Sequence, residues 1–125
     1  MPGTNRWSAV HADDLADLYC LALTKAPGGT LLHGANESFT MREMAEAIHR
    51  GLGRQGEPLG ITLEQAIKIE GILAGLLVKN YLLSGEKAKR EFGWTPSRES
   101  FLDVVERNTL RTSSKSDILP FRPRV

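Results

Sequence analysis

The stretch GLGRQG, Gly51 to Gly56, has the G-x-G-x-x-G spacing of a dinucleotide-binding loop, and its position constrains what this chain can fold into. Such a loop follows a strand and opens a helix, so that the free N–H groups of the helix N-terminus face a pyrophosphate. Here the order is reversed. Thr40-Met41-Arg42-Glu43 is a capping box, in which the threonine and the glutamate three residues on satisfy each other's backbone N–H groups. The helix it opens carries Met41, Met44, Ala45, Ile48 and Leu52 at inward spacing and runs into the glycines, which Glu57-Pro58 follow in place of a second helix. The expected role of GLGRQG is helix termination by a glycine in the left-handed conformation, with no phosphate bound.

The remaining chain reads as alternating short elements. In WSAVHADDLADLYCLAL, a β-type run from Ser8 to His11 passes into a helix that Asp13 or Asp14 can cap, with Leu15, Leu18, Tyr19, Ala22 and Leu23 on one buried stripe. Pro27-Gly28-Gly29 stops that helix, and TLLHGAN, Thr30 to Asn36, reads as a second strand. Thr62-Leu63-Glu64-Gln65 opens a helix expected to reach Val78, along which Gly71 and Gly75 would allow close packing. Ser84 is expected to cap a short helix ending at Gly93, and a last helix is expected from Arg98 to Leu110. The expectation is therefore a helix-dominated α/β fold with two short strands and about five helices. Residues 1–110 would form one domain and 111–125 an extended or mobile basic tail.

A chain of 125 residues with 41% hydrophobic and 25% charged residues fits one soluble domain. A net charge of +1 gives no electrostatic case for nucleic acid or an anionic membrane. The longest apolar patch, Ile72 to Val78, is far short of the roughly 20 residues of a membrane span, and no signal-like segment is read at the N-terminus. Cys20, the single cysteine, cannot form an internal disulfide and reads as a small buried hydrophobe, so the expected location is cytoplasmic.

Three stretches resemble one family in its own order. WSAVHADDLADLYCLAL is similar to the W-x-x-VH-x-x-D-x-A motif of extended and atypical short-chain dehydrogenase/reductases, the NAD-dependent epimerase/dehydratase group. GGTLLHGANESFTMREMAEAIHRGLG resembles the strand and helix that follow it there, and YLLSGEKAKREFGWTPS resembles the terminal S-x-x-ka-x-x-LGW-x-P signature. The resemblance covers about Arg6 to Glu106 and implies the C-terminal third of a Rossmann-type enzyme, the part that finishes the sheet edge and builds most of the substrate lobe. A full-length relative would bind NAD(P) through an upstream glycine-rich turn and use a Tyr-x-x-x-Lys pair for proton transfer. Neither is present: Leu23 stands four residues after Tyr19, and Gly85 four after Tyr81. No catalytic or cofactor-binding residue is therefore assigned in this chain.

The resemblance places Trp7 beside the substrate pocket. It also puts Trp7 where sugar-nucleotide members carry a phosphate-pairing arginine, which favours a parent acting on a small carbonyl or hydroxyl compound. His11 is either a substrate ligand or a histidine hydrogen-bonded to backbone. With Asn80 and Tyr81 these form the candidate substrate pocket. No His, Cys or Asp spacing matches a recognised metal set. The expectation is a truncated or split oxidoreductase or epimerase fragment, inactive alone, that associates with itself or with a complementing nucleotide-binding chain. The alternative is a non-catalytic module built from the same lobe, binding a small apolar ligand or a protein partner.

Overall fold

His11 ends one element and starts the next: its backbone is extended, and its Nδ1 accepts the N–H of Asp13 at 3.2 Å. A computed structural model of the chain describes residues 3–113. Strand β1 (Arg6–Ala9) leads through His11 into helix α1 (Ala12–Lys25). The second strand, β2 (Glu37–Thr40), turns directly into α2 (Met41–Gly51) at the capping box of Thr40 and Glu43, where Glu43 Oε2 accepts the Thr40 N–H at 2.6 Å. Four helices follow: α3 (Leu63–Glu70), α4 (Leu73–Leu77), α5 (Glu86–Phe92) and α6 (Phe101–Ser113). The described chain is thus helix-dominated α/β with two antiparallel strands, paired from Arg6 opposite Thr40 to Ala9 opposite Glu37.

Several elements differ from the sequence-based expectation. The first strand lies two residues earlier than Ser8 to His11, and the capping residue of α1 is His11 instead of Asp13 or Asp14. The second strand is Glu37–Thr40 and not Thr30 to Asn36, because β1 offers its edge to the later segment and leaves the earlier one without a sheet. The long helix from Thr62 to Val78 is two helices, broken where Gly71 takes φ 62° and ψ −139°, a conformation that only glycine adopts freely. A Cβ at Gly71 or Gly75 would meet nothing within 4 Å, so neither provides the close packing expected of it. Six helices result instead of five. The last begins at Phe101, not Arg98, and extends to Ser113, past the boundary drawn at 110; residues 114–125 of the expected tail lie outside the described residues.

Two small cores hold the elements together. Leu18 of α1, Ala88 of α5 and Trp94 pack together, with Val10, Leu15, Leu21 and Leu32 around them. Trp94 is 2% exposed and its Nε1–H donates to the Asp14 carbonyl oxygen at 2.8 Å, which satisfies its polar edge. The second core joins α2 to α6, with Phe39 of β2 stacked on Phe101 at 4.5 Å between ring centroids. α1 does not bury its whole apolar stripe: Tyr19, Cys20 and Leu23 are exposed, which corrects the inward placement of all three.

Candidate functional site

The stretch 79–83 runs beside β1. The N–H of Ser8 donates to the Tyr81 carbonyl and the N–H of Tyr81 to the Arg6 carbonyl, both at 2.9 Å, so Trp7 and Tyr81 pair in parallel register. Side chains reinforce this join. Asn80 Oδ1 accepts the Arg6 N–H at 2.7 Å, Trp7 Nε1 donates to the Lys79 carbonyl at 3.0 Å, and the Trp7 and Tyr81 rings meet edge to face at 5.5 Å. Ser8 completes it, its hydroxyl accepting the Leu83 N–H at 2.8 Å.

Three of the four candidate site residues, Trp7, Asn80 and Tyr81, therefore come together across a separation of more than 70 positions. His11 does not join them. It lies beside a separate cavity of about 240 Å³ lined also by Val10, Glu37, Glu99 and Phe101. Because its Nδ1 accepts the Asp13 N–H, the neutral ring carries its proton on Nε2. Glu37 accepts the Phe101 N–H at 2.6 Å and Glu99 pairs with Arg107, so both neighbouring carboxylates have partners.

A larger cavity, of about 380 Å³, opens behind the Trp7 cluster. It is bounded by Asn5 ahead of β1, by Met41, Met44 and Ala45 of α2, by the 58–61 loop, and by Ala66, Ala74 and Leu77 of α3 and α4. Asn5 ties one wall in place: its Nδ2 donates to the Leu77 carbonyl at 2.7 Å and to the Lys79 carbonyl at 3.2 Å. The helical spacing of α2 sets Met41, Met44 and Ala45 inward, and it takes the packing of α3 and α4 opposite them to show that this face meets a hollow. No local signal marks Asn5.

The GLGRQG stretch is a helix terminator. Gly53 has φ 66°, its N–H donates to the Arg50 carbonyl at 2.9 Å, and the N–H of Arg54 reaches the His49 carbonyl at 3.1 Å, the two bonds of a Schellman motif. Gly51 serves packing instead, since a Cβ there would lie 2.6 Å from the Glu106 carbonyl oxygen of α6.

The strongest electrostatic feature lies elsewhere and is structural. Asp14, 1% exposed, accepts from the Ser97 N–H at 3.3 Å, the Arg98 N–H at 3.1 Å and Arg98 Nη1 at 2.7 Å. Burial pushes its carboxyl pKa up, yet the hydrogen bonds from Arg98 and Ser97 together with the Arg98 charge hold it below the ordinary value. Arg98 also meets Asp17 at 2.6 Å, and Asp17 first and Asp14 second raise its pKa. Glu43 is held below its ordinary value by the Thr40 N–H and hydroxyl. Among the described residues no group of three or more His, Cys, Asp or Glu side chains can hold a metal ion, and no helix is long and apolar enough to cross a membrane.

The chain matches no protein-family profile and no solved structure. It is similar to an uncharacterized protein of Schizosaccharomyces pombe, 30% identical over 101 residues, which is 80% of this chain and 34% of the relative. It is also similar to an uncharacterized protein of Saccharomyces cerevisiae, 30% identical over 108 residues, covering 85% of this chain and 35% of the relative. The chain therefore spans about a third of the length of these curated relatives.

Proposed function

We propose that this chain is the substrate-lobe part of an extended or atypical short-chain dehydrogenase/reductase. Its parent would be an NAD(P)-dependent oxidoreductase or epimerase acting on a small carbonyl or hydroxyl compound, and the lobe alone holds no cofactor site and no activity. The observation that carries the reading is the segment from Thr30 to Asn36. It has a strand's composition, yet among the described residues the N–H groups of Leu31 to Ala35 find no acceptor, and Leu31 is 71% exposed. A strand without a sheet is what remains when the rest of a sheet lies on another part of the protein or on another chain. The exposed Tyr19 and Leu23 of the neighbouring α1 extend the same unpartnered surface. The share of the relatives' length spanned, about a third, agrees with a lobe and not a whole enzyme.

Complementation tests this. The part of the Schizosaccharomyces pombe relative that this chain does not match is purified and mixed with the chain, and complex formation is read by sizing and NADH or NADPH binding by fluorescence. A complex that binds cofactor is expected, with no cofactor binding by the chain alone. Saturable micromolar binding of NADH to the chain alone, or a well-behaved monomer that ignores the added part, overturns the reading. A second reading, a ligand-binding module derived from the same lobe, is favoured by one observation: the chain by itself surrounds a cavity of about 380 Å³.

A further inference from the structure

The 380 Å³ cavity falls in the size range of small-molecule sites, about 300 to 1,000 Å³, and its composition narrows what it can take. Its wall is apolar along α2, along the 58–61 loop and along the facing α3–α4 pair. Two of those wall residues, Met41 and Met44, carry flexible thioethers that adapt to differently shaped apolar ligands. Three polar side chains line it. Arg42 and Glu70 are exposed and of opposite sign, so they confer no net preference for a charged ligand. Asn5 is half-buried, and the two carbonyls that receive its Nδ2 fix the orientation of its amide. That leaves Oδ1, with no partner among the described residues, as an acceptor for a ligand donor.

We infer that this cavity binds a compact, uncharged, hydrophobic alcohol, whose hydroxyl donates to Oδ1 of Asn5. The inference deepens the module reading above and rests on it. It moves the ligand from the exposed faces of Trp7 and Tyr81 to the hollow behind them, and makes Asn80 and Trp7 positioning residues that hold the α4 end of the wall against β1. A dry cavity of about 150 Å³ accommodates benzene, so this one has room for about ten to fifteen non-hydrogen atoms. A carboxylate or ammonium of that size would lose its hydration against an apolar wall, whereas one hydroxyl needs one acceptor.

The probes are 2-naphthol and naphthalene, titrated into the full 125-residue chain by fluorescence. The expected results are saturable 2-naphthol binding with a Kd below about 1 mM, and naphthalene about 5-fold weaker for want of the hydroxyl. Ala45→Trp, which fills the hollow from α2, should weaken binding by at least about 10-fold at an unchanged melting profile. Ile72→Ser, on a side chain 91% exposed and outside the cavity, should leave it unchanged and so exclude adsorption to the apolar surface. Contacts from 2-naphthol protons to the Met41 and Met44 methyl groups, read by NMR on the unaltered chain, supply a test that needs no variant. Binding that survives Ala45→Trp, or that shows no contact to those methyls, overturns the cavity assignment. If Tyr81→Ala abolishes binding while Ala45→Trp does not, the module reading survives at the Trp7 cluster and the cavity inference falls. No saturable binding of either probe overturns the inference and leaves the module with a protein partner alone.

Discussion

Replacing Asp14 by alanine removes the acceptor on which the segment after Trp94 is anchored. In the native chain the carboxylate is 1% exposed and takes three hydrogen bonds, two from the backbone of Ser97 and Arg98 and one from the Arg98 guanidinium. Alanine leaves both amides without a partner and opens a void beside the Leu18, Ala88 and Trp94 core. Arg98 keeps its contact with Asp17, which limits the loss. Breaking a buried pair from one side costs about 3 to 5 kcal/mol, and the surviving contact puts this case near about 3 kcal/mol. For a domain of this size that is a fall of about 10 to 13 °C in Tm, read by circular dichroism. Acid provides the matching control. The folded-state pKa of Asp14 lies below its ordinary 3.8, so its contribution is complete above that value and disappears as pH falls through the lower, folded one. The gap between native chain and variant should therefore be widest from about pH 5 upward and close as the pH is lowered toward 2. A loss under about 1 kcal/mol at neutral pH, or a gap that stays constant into acid, refutes the anchoring role.

Local conformations make further expectations. Gly53→Ala, at φ 66°, should cost about 1 kcal/mol in urea unfolding, because the GLGRQG turn ends a helix with a residue in the left-handed conformation. Thr40→Ala should cost about 1 kcal/mol through loss of the α2 cap, and the pKa of the Glu43 carboxyl, followed by NMR titration, should rise only part of the way to its ordinary value, because the backbone N–H of residue 40 still donates to it. Leu23→Ser, at a side chain 86% exposed on α1, should change stability by no more than about 0.5 kcal/mol yet reduce self-association on a sizing column; a drop in stability instead would mean that α1 packs differently.

At two capping boxes and one glycine stop the partner lies within four residues and the conformation was legible from the residues alone; the His11 cap of α1 and the Gly71 break are equally local and were not. The capping boxes of Thr40 with Glu43 and of Thr62 with Gln65 are both present, and Gly53 takes the left-handed turn after α2. Where the partner lies far away, the local pattern points to the wrong role. Asp14 has the residue type of a cap, but Arg98, 84 positions on, claims its carboxylate, and His11 caps the helix in its place. Tyr19 and Leu23 share the helical period of Leu15 and Leu18, yet only part of that stripe meets α5. In the candidate site, Trp7 lies beside Asn80 and Tyr81, whereas His11 belongs to another cavity and Asn5 carried no local mark.

By itself, then, the sequence determined the capped starts of α2 and α3, the glycine stop after α2 and the mixed α/β character, because these are settled among neighbouring residues, whereas the N-cap of α5 is Gly85 instead of the expected Ser84. Only the tertiary structure decided which apolar run becomes a strand. Thr30 to Asn36 and Glu37 to Thr40 both have extended conformations open to them, and strand pairing depends on which one reaches the free edge of β1. The same holds for the cavity behind Trp7. It exists because hydrogen bonds from Asn5, Arg6 and Trp7 to residues more than 70 positions away hold its walls apart and in register, and such long-range closure leaves no trace in a local pattern.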